Sequence, residues 1–405
     1  MDCHATAMRS IAAPSVSKAD SSPTNGGGAS KARNDILING ETKMLRYLTA
    51  GESHGPALTA ILEGMPPGVE IAQEDFDELL KKRNAGYGRG KRSKIEPEKV
   101  EVLSGIVNGK TIGSPISIII RNSDYDNHKQ YMAPFNATNT KDGEINIPLP
   151  GHADLAGMIK YGFKDCRYVR ERASARETAI RTAISVPARN LLKEKGITSL
   201  CMVESIGDIK AKINLETSKN ELERKINDVG FAFLTPDKNI VQKWQKLIDD
   251  CQEKNISLGG SGIVMFYGLP VGLGSYVEYD RRFDGIISQS VMSIPAIKGI
   301  EIGNAYELSK TKGNTTDRIF FDKEKGFYRK TNFAGGLEGG MTNGQPLIIR
   351  FYMKPLPANS NIESVNLQTG KPVKPDFYRS DIQAVTAAAV VVESVLSLEI
   401  ASFLS

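Results

Sequence analysis

Apolar and polar positions divide the chain into short stretches of two kinds. Gln73 to Arg83 places apolar residues at helical spacing, with Glu74, Asp75, Asp77 and Glu78 early and Lys81, Lys82 and Arg83 late. That order complements a helix dipole and predicts an amphipathic helix. Asp165 to Lys195 reads as a long helix stopped at Gly196, with Pro187 as a point of interruption. Ile240 to Asn255 reads as a polar helix, and Ser380 to Phe403 as a terminal one capped by Ser380 or Asp381. Lys99 to Val107, Ser117 to Arg121 and Gly262 to Tyr267 read as strands. No regular βαβ alternation and no internal repeat is visible, so the pattern predicts an α+β fold, not a doubly wound sheet. Five glycines between Gly335 and Gly344 predict a shaped loop there in place of a helix or strand.

Two stretches need composition as well as pattern. Residues 1–42 are rich in Ser, Ala, Gly and Asn and lack either periodicity, so they read as a disordered N-terminal extension. They have no secretory signal and make a poor organellar transit peptide, which makes Met44 an attractive true start. Val385 to Leu404 is apolar but carries Glu393 and Glu399, and reads as a buried helix, with no membrane span expected.

The whole chain has 405 residues, 40% hydrophobic and 24% charged, as expected of a soluble globular protein. A net charge of +5 is mild for this length; it argues against a dedicated nucleic-acid binder and suits anionic small molecules. Cys3, Cys166, Cys201 and Cys251 are scattered, with neither metal-ligand nor disulfide-framework spacing. No metal site is expected, and a reducing compartment is the default.

Candidate chemistry lies in a few motifs. In KKRNAGYGRGKRSK (81–94), seven of fourteen residues are basic, and Arg83 and Arg89 could grip a phosphate; a solvated basic loop explains the same residues. No Walker motif is present. His152 in PGHAD follows a Pro-Gly turn, where it serves either as an acid/base group or as a structural cap. Arg172, Ser174 and Arg176 in ERASARETAIR share a helical neighbourhood, as do the ion-pair partners Glu171 and Glu177. GESHG (51–55) sets Ser53 beside His54, but chain neighbours rarely form a Ser–His catalytic pair, and no GxSxG elbow occurs. Asp381 reads as an N-terminal helix acid. These residues describe an anion-handling enzyme of undefined reaction, with a polyanion-binding protein using the basic loop as the rival.

Taken in order, RYLTAGESHGPALTAILEGMPPG, GYGRGKRSKIE, PGHADLAG, ERASARETAIR, AIKGIEIG, the glycine-rich loop with MKPLP, and RSDIQAVTAAAVVVES closely resemble the chorismate synthase family, over roughly residues 44–400. The resemblance implies a catalytic domain over 43–405 with a β-α-β sandwich, helices between antiparallel sheets, in a homotetramer. It implies anti-1,4-elimination of phosphate from 5-enolpyruvylshikimate 3-phosphate with reduced FMN. NADPH or a separate flavin reductase would reduce the flavin, in the cytoplasm, with no nucleic-acid or membrane partner. By matching motifs, His54 serves the flavin, His152 assists the departing phosphate, Asp381 moves a proton near the flavin, and Ser53 and Ser174 support these steps. FMN contacts fall at Arg172, Ala173, Ser174, Pro295, Ala296, Gly339, Lys354, Pro355, Leu356, Pro357, Ala358 and Arg379. Arg83 and Arg89 match a pair assigned to the nicotinamide cofactor and lie where phosphate is handled. Departures from the family pattern are Pro295 for an amide side chain, Leu149 for an arginine, Lys82 and Asn84 for Arg and Gln, and Ser380 for histidine. None removes a catalytic position.

Overall fold

Alternating apolar side chains build the first sheet. Strands β1 (Arg46–Ala50), β2 (Ala57–Glu63), β3 (Val100–Ser104) and β4 (Ile116–Arg121) pair antiparallel in the order β1-β2-β4-β3. The register sets Leu58, Ala60 and Leu62 opposite Ile120, Ile118 and Ile116, and all six are buried. One face of this sheet is therefore core. This computed structural model describes residues 45–90, 98–135, 137, 143–313, 316–324, 326–357, 362–375 and 381–405. The expected extension over 1–42 lies outside them.

The second sheet contains β5 (Thr198–Ile206), β6 (Gly260–Tyr267), β7 (Ile297–Ile302) and β8 (Leu347–Met353), in the order β7-β8-β6-β5, with the short strand Ile209–Lys210 beyond β5. Ser261 to Phe266 of β6 is buried without alternation, because both faces are covered. The helix Lys219–Val229 packs against β5, and Trp244 of the helix Val241–Glu253 donates Nε1–H to the Ile209 carbonyl at 2.9 Å.

The helices used below are α1 (Gln73–Asn84), α2 (Asp154–Tyr161), α3 (Arg167–Ala173), α4 (Thr178–Ile184), α5 (Val186–Glu194), α6 (Phe283–Met292) and α7 (Val385–Ser402). Helix α7 packs on β5 and β6 and against α1, α4, α5 and α6, while α4 packs on β2 and β4, and α1 on β3. One helical layer thus joins two antiparallel sheets, the β-α-β sandwich that the resemblance implied. Every residue of α7 except Glu399 is buried. Its length and apolarity would suffice to cross a membrane, but it is the central core helix.

Glu393 puts a carboxylate into that core. Its Oε1 accepts from Ser199 Oγ at 2.8 Å, and its Oε2 lies 3.5 Å from Lys82 Nζ and 3.3 Å from Arg189 Nη1. Oε2 has no well-angled hydrogen bond among the described residues and is met by those two charges. Burial raises the Glu393 pKa, but Arg189 and Lys82 more than offset this and hold it down to about 2. A depressed folded-state pKa contributes stability above the unfolded value near 4.5, lost as pH falls toward 2. Glu393→Gln should therefore flatten the pH dependence of unfolding free energy in that interval, measured by denaturant melts. An unchanged slope would refute the assignment.

Two expectations need correction. The stretch from Asp165 to Lys195 is not one helix: it breaks at Ser174, where ψ is 141°, passes through the 3-10 turn Ala175–Glu177, and breaks again at Ser185. The second break falls two residues before Pro187, the expected point of interruption, which sits in the first turn of α5, where its missing amide hydrogen costs least. Asp381 does not cap α7, whose N-cap is Ala384; Ser380 lies outside the described residues. The glycine loop holds a small hairpin, Leu337–Glu338 paired with Met341–Thr342, turned through Gly339 and Gly340 at φ +58° and +85°.

Candidate active site

GESHG forms the turn between β1 and β2. Gly51 has φ +107°, and a Cβ there would meet the Ala57 carbonyl oxygen at 2.3 Å, so glycine is required for the close approach. Asn122, just after β4, donates from Nδ2 to the Glu52 and Gly55 carbonyls at 3.1 and 2.8 Å. From α3, the Glu171 carbonyl accepts the Ser53 N–H at 3.1 Å. The Glu171 carboxylate accepts the His54 N–H at 2.7 Å and pairs with His54 Nδ1 at 2.8 Å. Burial raises the Glu171 pKa, but the bonds and charge of His54 outweigh it and hold the carboxyl below its ordinary value. A carboxylate at Nδ1 fixes the ring and favours the tautomer whose Nε2 is the basic nitrogen.

His152 is held in the same way. Its Nδ1 lies 2.5 Å from Oδ1 of Asp154, a fully buried residue that opens α2. The other Asp154 oxygen accepts from Arg170 Nε and Nη2 at 3.0 and 2.7 Å and from the Leu149 N–H at 3.0 Å. Burial raises the Asp154 pKa, and His152 and Arg170 together bring it below the ordinary value. Lys354, just past β8, donates from Nζ to the Gly151 carbonyl at 2.8 Å and so ties the turn to the second sheet. Burial, then the charge of Lys298, lowers the Lys354 pKa.

Both histidines line one cleft of about 910 Å³, together with Arg167, Arg170, Arg172, Arg181 and Lys354. A neighbouring cavity of about 410 Å³ is lined by Arg83, Arg89, Arg176 and Asp381 and by apolar Ile294, Met353, Ala384, Ala387, Ala388 and Val391. Ser53, Ser174, Ala175, Pro295 and Leu356 line both, so the two spaces share a wall. Small side chains make that wall thin. Ser174 stands where α3 breaks, and its Oγ accepts the Arg176 N–H at 3.3 Å.

The two arginines of the basic motif differ. Arg83 is buried, with Nε and Nη2 on Thr178 Oγ1, Nη2 also on the Ala175 carbonyl, and Nη1 on Asn84 Oδ1 and Glu98. Burial lowers its pKa despite Glu98. All three of its nitrogens serve the fold, which makes it a clamp between α1 and α4. Arg89 pairs through Nη1 with Asp381 Oδ2 at 2.7 Å, and its buried Nε has no hydrogen-bond partner among the described residues. Asp381 Oδ1 accepts the Gly90 N–H at 2.6 Å. Lys82 turns away to Glu393 in the core. Residues 91–97 lie outside the described residues.

Of the remaining predicted residues, Ala173, Ala296 and Pro357 line the outer cleft. Ala296 holds φ +69°, an unfavourable conformation for a residue with a Cβ, and its carbonyl accepts the Lys354 N–H at 3.0 Å. Pro355 and Gly339 line neither space, and Ala358 and Arg379 lie outside the described residues. Leu149 presents an apolar patch to the outer cleft. Asp154 and Arg170 were not picked out from the sequence and Glu171 was read there only as an ion-pair partner, although the His-x-Asp spacing of 152 and 154 was visible in it.

Two carboxylate-oriented imidazoles in an arginine-rich cleft, beside an apolar cavity edged with arginine, define an enzyme acting on an anionic small molecule. Comparison with known proteins narrows that class. The family model described as chorismate synthase matches residues 45–404. A chorismate synthase of Sulfurihydrogenibium sp. (strain YO3AOP1) is 48% identical over 88% of this chain and 93% of its own length. One of Desulforudis audaxviator is 47% identical over 88% and 92%. A crystal structure of chorismate synthase superposes with a TM-score of 0.71 at 35% identity, covering 89% of this chain and 92% of that one. The chain belongs to the chorismate synthase family. It is a lyase of the shikimate route to aromatic compounds, acting on a small-molecule substrate.

Proposed function

We propose that the chain eliminates phosphate from 5-enolpyruvylshikimate 3-phosphate in the anti-1,4 sense, giving chorismate with reduced FMN as cofactor. The observation that carries this reading is the convergence of His54 and His152 on one cleft rich in cationic side chains. The residues fit the flavin. The inner cavity offers the alanine face of α7 to a flat ring, and Arg89 Nε is a buried donor with no hydrogen-bond partner among the described residues. Arg89, Ser174, Pro295, Leu356 and Asp381 would hold FMN there, with Arg172, Ala173, Ala296, Lys354 and Pro357 on the outer side of the wall. When bound, reduced FMN supplies reversible electron density for C–O cleavage.

The chain's own groups then have defined tasks. His152, with Nδ1 fixed by Asp154, keeps Nε2 for a proton or hydrogen bond to the departing phosphate. Arg170, Arg172 and Lys354 surround the same cleft with positive charge, which favours an anion that gains charge as it leaves. His54, with Nδ1 fixed by Glu171, keeps Nε2 as its basic nitrogen for proton transfer in the same cleft, with Ser53 beside it. Asp381, paired with Arg89, is the carboxylate placed to accept and return a proton in the inner cavity. We further propose a homotetramer in the cytoplasm, with the flavin reduced by NADPH on the enzyme or by a separate reductase.

An anaerobic assay with reduced FMN and the phosphorylated substrate tests this. Stoichiometric phosphate and chorismate are expected. Folded protein that releases neither sinks the proposal. Running NADPH in air beside chemically reduced FMN, with chains beginning at Met1 and at Met44, separates the two routes of flavin reduction.

A further inference from the structure

We infer that His54, Asp124 and His128 form a binding site for a borderline-soft divalent metal ion, zinc foremost, in the wall of the outer cleft. One donor atom from each of the three lies within 4.8 Å of the others, and all three residues are partly buried. The 3-10 turn Tyr125–Asn127 follows β4 and brings Asp124 and His128 together at a spacing of four residues. The turn is closed by the His128 N–H donating to the Tyr125 carbonyl at 2.8 Å. The His128 ring centre stands 4.2 Å from that of His54, tilted by 32°. Asp124 Oδ2 lies 3.9 Å from His54 Nε2 and 3.7 Å from His128 Nδ1.

A second observation concerns the oxygen partner on Nδ1 of each ring. Glu171 meets His54 Nδ1 at 2.8 Å, and the Asp124 carbonyl meets His128 Nδ1 at 3.0 Å. Metal-bound histidines keep such an oxygen partner on their other nitrogen, which fixes tautomer and ring angle. His54 already has it, and Nε2 is the donor atom it presents; for His128 the nitrogen nearest the Asp124 carboxylate is that same Nδ1, so its ring must turn to ligate. Two imidazole nitrogens and one carboxylate suit zinc with a fourth position open, whereas magnesium and calcium favour oxygen ligands. Zinc bonds of about 2.0–2.2 Å place ligand atoms roughly 3.3–3.5 Å apart. The present separations of up to 4.8 Å are wider, so binding requires the side chains to turn inward.

A metal held there takes the Nε2 lone pair of His54, so zinc inhibits turnover reversibly. This consequence rests on the role proposed for His54, whereas binding itself does not. Calorimetric titration of the full chain with zinc chloride, without flavin or substrate, is the test, with cobalt(II) visible spectra in parallel. Saturable binding of one ion per chain is expected, weakened at least about 10-fold in His128→Gln and in Asp124→Asn, each checked for folding by circular dichroism. Half-inhibition of turnover, scored against each variant's own metal-free rate, shifts likewise, and EDTA reverses it. Equal zinc affinity in unaltered and His128→Gln chains places the ion elsewhere and overturns the inference. So does the absence of saturable binding. Zinc binding in a chain that forms no chorismate sinks the proposed reaction and leaves the site standing.

Discussion

Replacing His152 with alanine should lower turnover by roughly 100- to 10,000-fold, the usual range for losing a positioned acid/base group. The fold should hardly notice. His152 is an edge residue of a turn that Lys354 and the Leu149 carbonyl also hold, through the Gly151 carbonyl and the His152 N–H. The thermal midpoint should stay within about 2 °C. The cost elsewhere is to Asp154, which keeps Arg170 and the Leu149 N–H. Single-turnover phosphate release reads the effect directly. A variant releasing phosphate at the original rate removes His152 from the reaction.

The second large effect is at His54. His54→Ala should lower turnover by about the same range, and Glu171→Gln by less, roughly 10- to 100-fold, because the amide keeps the shape but not the charge that orients the ring. The two variants separate chemistry from orientation. Glu171→Gln should lower kcat while KM for the phosphorylated substrate moves little, because the amide holds the turn but no longer fixes the ring. A Glu171→Gln enzyme with an unmoved kcat would reduce that residue to holding the turn between β1 and β2.

Much of the fold was legible where one face alone is buried. The alternation in β4 and the amphipathic pattern of α1 follow directly from a two-sided environment. Where burial is complete, as in β6 and α7, periodicity vanishes and length and composition carry the reading. The break at Ser185 was signalled by Pro187, but the one at Ser174 was invisible, because residues 165–186 contain no glycine or proline and every residue in them tolerates a helix. Tertiary bonds decide the matter: Ser174 leaves the helix to cap the turn that presents Ala175 to Arg83. The site was legible as motifs but not as geometry. Glu171 and Asp154 orient the two histidines from 117 and 2 residues away, and only the shorter separation is readable along the chain.

The broken helix has a consequence for what the chain can tolerate. Between Glu171 and Thr178, contacts run through main-chain atoms as much as side chains: the Glu171 carbonyl to Ser53, and the Ala175 carbonyl to Arg83 and Thr178. Main-chain contacts are indifferent to which residue supplies them but not to where it falls. Adding or deleting one residue here would shift everything downstream by about 1.5 Å and turn it by about 100°. The turn at His54, the clamp at Arg83 and the first-sheet face of α4 could not then all stay in register. The length of this segment should be fixed even at positions where the side chain could change, the reverse of what a surface loop allows.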